Sequence, residues 1–146
     1  RLNITRILKR ASKQWDGGYA MAGLFGHGDS FVFRDPAGIR PAYFYQDDEI
    51  AVVASERPVI QTVFNVPIDK VHELDPGHAI IMKKDGRITV EEIIPSPYKR
   101  ACSFERIYFS RGSDAEIYKE RKALGRLLFP AVLDARGHDT KNTVFA

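Results

Sequence analysis

The 146 residues, 44% hydrophobic and 28% charged, suffice for one globular core and are too few for a large multidomain enzyme. With 22 basic against 19 acidic side chains the net charge is only +3, which singles out neither nucleic acid nor a membrane surface as partner. The single cysteine, Cys102, excludes an internal disulfide and a cysteine metal knuckle, and no apolar run approaches the roughly 20 residues of a spanning helix, so a reducing, cytoplasmic setting is expected. The chain starts at Arg1 with a helical pattern already under way, which reads as a piece of a longer protein.

Residues 2–15 set Leu2, Ile4, Ile7, Leu8, Ala11 and Trp15 on one helical stripe and Arg6, Lys9, Arg10 and Lys13 on the other side. With Arg1 these make five basic residues before any acid, read as a solvated helix face. Asp16-Gly17-Gly18 supplies the stop. From Tyr19 to Ile94 short apolar or alternating runs bounded by turn residues predict a sheet-rich region: 19–25, 30–33, 42–45, 49–54, 70–74, 78–83 and 87–94 as strands, with 57–63 as a short helix. Lys84-Asp85-Gly86 predicts a hairpin with a tight primed turn.

Pro95-Ser96-Pro97 cannot sit inside a central strand and marks a linker or domain edge. After Cys102–Arg111 a second helix is predicted over 114–134, capped by Ser113 or Asp114, with Pro130 interrupting it or opening a new turn. The stripe of that helix is Ile117, Arg121, Leu124, Leu127 and Leu128. The pattern then turns polar until Val144-Phe145.

Candidate chemistry is sparse. Four histidines, His27, His72, His78 and His138, form no helical metal pair, and Gly23–Gly28 lacks the Lys-Ser/Thr end of a phosphate loop. Cys102 sits near Arg100 and Arg106, cations that would favour a thiolate, but a small buried hydrophobe is the simpler reading. The most distinctive string is Arg34-Asp35-Pro36-Ala37-Gly38-Ile39-Arg40-Pro41. Here Pro36 fixes a turn, Gly38 permits positive φ and Pro41 keeps Arg40 extended. Such a loop holds Asp35 within reach of Arg40, as a structural ion pair or as part of a pocket wall. Ser55 and Glu56 most simply start the following helix.

Gly18-Tyr19-Ala20, Asp35–Pro41, Val52-Val-Ala-Ser-Glu56, Glu73-Leu-Asp-Pro-Gly77 and Cys102-Ser-Phe-Glu-Arg-Ile-Tyr-Phe-Ser-Arg111 follow one another as in the glutamine phosphoribosylpyrophosphate amidotransferases. The resemblance runs over roughly residues 15–128, and the Asp35 loop alone resembles class II amidotransferases in general. Arg111-Gly112-Ser113-Asp114 departs from the family's Arg-Pro-Asp-Ser.

The resemblance implies an α+β fold, part of a four-layer αββα N-terminal-nucleophile hydrolase sandwich. Residues 1–100 would be the C-terminal half of a glutaminase domain, and 101–146 the junction and lead-in helix of a phosphoribosyltransferase domain. It implies a parent that transfers the glutamine amide nitrogen to phosphoribosyl pyrophosphate in purine biosynthesis, with glutamine, that diphosphate and the rest of the parent chain as partners, and a homo-oligomer. It implies no nucleic acid or membrane partner.

The family's Cys-Gly start does not occur in these residues, so no catalytic or substrate-binding residue is carried over and the chain alone is expected to be inactive. Asp35, Gly38, Arg40, Ser55 and Glu56 carry over as a structural motif near the glutaminase site. Cys102 falls where some members ligate an iron–sulfur cluster, and the parent's other implied cofactor is Mg2+. The alternatives are a stand-alone non-catalytic binding domain of the same fold, or a piece of another class II amidotransferase. A nucleic-acid binder fits less well, because Phe31, Phe33, Tyr43 and Tyr45 alternate as core strand residues do.

Overall fold

The computed structural model describes residues 2–96 and 98–144, which leaves Arg1, Pro97 of the proline segment, Phe145 and Ala146 outside the described residues. In chain order the elements are α1 (Ile4–Ala11), β1 (Ala20–Leu24), β2 (Ser30–Arg34), β3 (Tyr43–Gln46), β4 (Ala51–Ala54), α2 (Arg57–Phe64), β5 (His72–Glu73), β6 (His78–Met82), β7 (Ile88–Glu92) and α3 (Ala115–Ala135). Short 3-10 turns follow α1 at Ser12–Gln14 and precede β5 at Ile68–Lys70, and a wide π-type turn spans Glu105–Phe109. The chain divides into two compact units, Arg1–Phe109 and Ser110–Ala146.

The first unit is built on two antiparallel sheets, β1-β2-β6-β7 and β4-β3-β5. Alternation along the two central strands of the larger sheet decides the layering. Phe33, Ala79 and Ile81 point to one side, where Ile4 and Leu8 of α1 close over them; Ile80 and Val32 point to the other, where they meet Ala42, Leu74, Phe44 and Val53 of the smaller sheet. On the far side α2 packs along β3 and β4 with Ile60 fully buried. Helix, sheet, sheet and helix are therefore stacked in that order, the α+β sandwich that the resemblance implies.

Asn3 caps α1 by accepting the Arg6 N–H at 2.9 Å. The buried side of that helix is narrower than the predicted stripe. Ile4, Leu8 and Ser12 are buried, while Leu2, Ile7 and Trp15 stay largely exposed, because one sheet face covers only one ridge of the helix. Trp15 instead closes an aromatic cluster with Tyr19 and Phe33, at 5.6 and 5.9 Å between ring centres. Arg6, Lys9, Arg10 and Lys13 are exposed.

The β6–β7 hairpin differs from the primed turn that Asp-Gly predicts. Lys83 and Arg87 pair across a three-residue loop, the Gly86 N–H donates to the Lys83 carbonyl at 2.9 Å, and only Gly86, at φ +85°, is left-handed. This is a type I turn closed by a glycine bulge, the solution when three rather than two residues link the strands.

In the second unit Asp114 caps α3, its carboxylate accepting the N–H groups of Glu116 and Ile117 at 2.9 and 3.2 Å. Pro130 neither ends nor restarts this helix but lies inside it, costing the bond its missing N–H would give to Arg126. Of the predicted stripe only Ile117 is buried; Leu124, Leu127 and Leu128 face outward.

Ile80 is fully buried between the sheets, against Ala42 and Leu74. Ile80→Ala should lower the unfolding free energy by about 2–5 kcal/mol in a denaturant titration. Val63→Ala, on an exposed face of α2, should change it by less than about 0.5 kcal/mol.

Candidate functional site: the Asp35 loop

Arg34 and Asp35, adjacent at the end of β2, point to opposite faces of the sheet, and both are buried. Between them they fix the loop that follows. The Asp35 carboxylate accepts the N–H groups of Ile39 at 2.9 Å and Arg40 at 3.0 Å, and more weakly that of Tyr19 at 3.3 Å. Its backbone carbonyl accepts from Gly38 and Gly77, and its own N–H donates to the Tyr19 carbonyl at 2.8 Å. On the other side the Arg34 guanidinium donates to the carbonyls of Arg40, Gly38 and Leu74 and to the Glu73 carboxylate. One carboxylate thus collects the loop's donors and one guanidinium its acceptors, which satisfies a buried polar turn from both ends.

Two glycines make the approach possible. Gly38 lies at φ +65°, and a Cβ there would stand 2.7 Å from Pro76. Gly77 lies at φ +72°, and a Cβ there would stand 2.0 Å from the Ile94 carbonyl oxygen. The Gly77 carbonyl accepts from both Ile93 and Ile94 as the chain leaves β7.

Asp35 and Arg40 do not form the ion pair with each other that their spacing suggests. Asp35 is consumed by backbone N–H groups, and the Arg40 guanidinium turns outward to the Glu105 carboxylate, with the Phe109 ring 5.8 Å away. The segment after β7 is tied to the same loop: Ser96 Oγ donates to the Pro36 carbonyl and the Arg100 N–H to the Ala37 carbonyl. The proline-marked segment is therefore seated on the sandwich, and the first compact unit continues to Phe109. Lys99 also pairs with Glu73. Burial pushes the Glu73 carboxyl up, but hydrogen bonds from Lys99 and Arg34 and their positive charges outweigh it, so Glu73 titrates below its ordinary value. Burial, with the nearby Asp35 charge, raises the Tyr19 phenol.

Ser55 is exposed at the end of β4. Glu56 occupies the position before α2 with extended backbone and no side-chain capping bond. Neither side chain caps the helix, and Pro58 inside its first turn does the pre-organising. Cys102 is a free, half-buried thiol. One thiol cannot supply the four ligands of an iron–sulfur cluster, and among the described residues no three His, Cys, Asp or Glu side chains stand together as a metal site. These residues do not by themselves fit the cluster. Arg34, Glu73 and Glu105 are the members of the site that sequence reasoning missed. The signal was present for Arg34 and Glu105, both charged residues set among aromatic and aliphatic neighbours.

A second polar cluster lies at the sheet's turns. Asp29, nearly buried, accepts from Lys83 Nζ at 2.8 Å and the Lys84 N–H at 3.0 Å, with His27 Nε2 at 3.1 Å. The hydrogen bond from Lys83, then those from Lys84 and His27, hold its carboxyl well below the usual 3.8.

The comparisons with known proteins show what the sandwich and its loop are similar to. No family model matches the sequence. Curated amidophosphoribosyltransferases do match: that of Methanothermobacter thermautotrophicus is 28% identical over 131 residues (87% of this chain, 27% of the relative), that of Escherichia coli 29% identical over 136 residues (86% and 26%), and that of Saccharomyces cerevisiae 31% identical over 128 residues (80% and 25%).

Among solved structures, the Bacillus subtilis glutamine phosphoribosylpyrophosphate amidotransferase complexed with ADP and GMP superposes with a TM-score of 0.60 at 27% identity, covering 76% of this chain and 23% of that one. A structure described as the allosteric regulatory enzyme of purine biosynthesis gives 0.63 at 26% identity, with the same coverage. The chain is similar to the amidophosphoribosyltransferases over most of its own length, and it spans about a quarter of the length of the curated relatives it matches.

Two outcomes follow from this geometry. Asp35→Asn turns one acceptor toward the loop into a donor facing an N–H, and should cost about 1–3 kcal/mol in thermal or chemical unfolding. Asp29 has a lower pKa folded than unfolded, so its contribution is complete above the unfolded value of 3.8 and is lost as pH falls below it. Stability measured from pH 6 downward should decline less steeply in Asp29→Asn than in the parent sequence below about pH 4.

Proposed function

We propose that this chain acts as the scaffold portion of an amidophosphoribosyltransferase, the enzyme that moves the amide nitrogen of glutamine onto phosphoribosyl pyrophosphate to give phosphoribosylamine in purine biosynthesis. In this reading the sandwich carries the glutaminase half-reaction, and α3 leads toward the transferase half. The partners are glutamine, phosphoribosyl pyrophosphate, the remaining parts of such an enzyme and further copies of the chain.

The observation that carries the reading is the convergence on one loop. The strings Gly18-Tyr19, Asp35–Pro41, Glu73–Gly77 and Cys102–Arg111, which resemble the family one after another in sequence, all supply hydrogen bonds or ion pairs to the Asp35 turn. Matching strings that meet in space support a shared architecture more strongly than matching strings alone.

The chemistry of the parent reaction is thiol attack on the glutamine amide, with a free α-amine as base and oriented N–H groups stabilising the tetrahedral oxyanion. The only thiol here, Cys102, follows an alanine in mid-chain and has no free α-amine of its own. What these residues supply to that reaction is rigidity, because a site held within about half an ångström needs a supporting shell that is itself locked. Outward-facing Leu24, Val63, Phe104, Tyr108, Leu127 and Leu128 fit a chain that is covered by further protein in its working state.

Two measurements test this. The purified chain should release no glutamate from glutamine above a blank; turnover would contradict the scaffold reading. Residues 15–128 grafted in place of the matching stretch of the Escherichia coli enzyme should restore growth without purines to a strain lacking that enzyme, and a folded but inactive chimera would count against the assignment.

A further inference from the structure

Two hydroxyls in the first unit, Ser12 Oγ and the Tyr19 phenol, are buried without a hydrogen-bond partner among the described residues. Ser12 is 3% exposed and continues the ridge that Ile4 and Leu8 lay against the larger sheet. Tyr19 packs against the same apolar cluster as those two residues. A buried hydroxyl left unpaired is costly, and native interiors rarely keep one. These two also share a neighbour. The Trp15 N–H donates to the Ser12 carbonyl at 3.1 Å, and the Trp15 ring stands edge-on to that of Tyr19 with 5.6 Å between centres. Phe33 closes the cluster, 5.5 Å from Tyr19 and 5.9 Å from Trp15.

We propose that one internal water molecule sits at this end of the helix–sheet layer and bridges Ser12 Oγ to the Tyr19 hydroxyl. Water both donates and accepts, as each hydroxyl does, so a single molecule completes both. The bridge extends the polar hub of the Asp35 loop. Tyr19 is already tied to that hub, its N–H to the Asp35 carboxylate and its carbonyl to the Asp35 N–H. Through the water the hub reaches the C-terminal end of α1, while Thr5 Oγ1, donating to the Glu91 carboxylate at 2.7 Å, ties the N-terminal end. The outer helix is then fixed at both ends by hydrogen bonds and between them by Ile4 and Leu8. The inference concerns the first unit alone and stands whether or not the enzymatic reading above holds.

Oxygen-17 relaxation dispersion of the solvent tests it, because the method detects long-lived internal waters and is blind to exchanging hydroxyl protons. It is read on the full chain beside Ser12→Ala, Tyr19→Phe and the double variant. The amplitude should fall by about one water molecule in each single variant and by no more in the double, since losing either hydroxyl releases the same molecule. Tyr19→Phe keeps the ring and should lower the urea midpoint, because it removes a paired hydroxyl; removal of an unpaired one would raise it. An amplitude unchanged in either single variant would overturn the bridge. So would a loss of about two waters in the double variant, or a raised midpoint in Tyr19→Phe.

Discussion

Everything distinctive about this sandwich hangs on one buried carboxylate that accepts backbone N–H groups. Asp35 ends a central strand, and its two oxygens take up the donors of Ile39 and Arg40 with help from Tyr19. A carboxylate buried without those donors would be unpaired, and donors without the carboxylate would be buried and unpaired in turn. The two requirements cancel only in one loop conformation. That conformation needs Gly38 left-handed and brings the Asp35 carbonyl to Gly77, which fixes where β6 begins.

From this hub the layers follow. Tyr19 places the start of β1, Gly77 the start of β6, and the neighbouring Arg34 reaches into the smaller sheet at Glu73 and Leu74. The two sheets are thus joined by polar contacts at one end and by Ile80, Val32, Leu74 and Phe44 along their faces. Apolar burial supplies most of the driving force, and the polar hub selects one register among those that burial would accept.

Much of this was legible in the sequence. Period-two alternation gave the strands, Asp114 stood where a helix cap belongs, and Pro36, Gly38 and Pro41 announced a rigid turn. The strings that resemble the amidotransferases were recognisable, but not that they meet. Sequence proximity suggested that Asp35 and Arg40 pair with each other; the structure shows both committed elsewhere, because backbone donors lie closer to Asp35 than any side chain can and Glu105 lies 65 positions along the chain. The Glu105–Phe109 turn had no legible pattern because its exposed apolar residues follow neither a strand nor a helix period. The primed-turn reading of Asp85-Gly86 failed for a related reason. Loop length, set by where β6 and β7 stop pairing, outranked the dipeptide preference.

The central claim is that the Asp35 carboxylate itself holds the loop, and through-hydrogen-bond scalar couplings measured by NMR on isotope-labelled chain address it directly. The account predicts resolvable couplings from the amide nitrogens of Ile39 and Arg40 to the side-chain carboxyl carbon of Asp35. Their absence in a folded sample, with those two amides exchanging as freely as a surface loop, would contradict it.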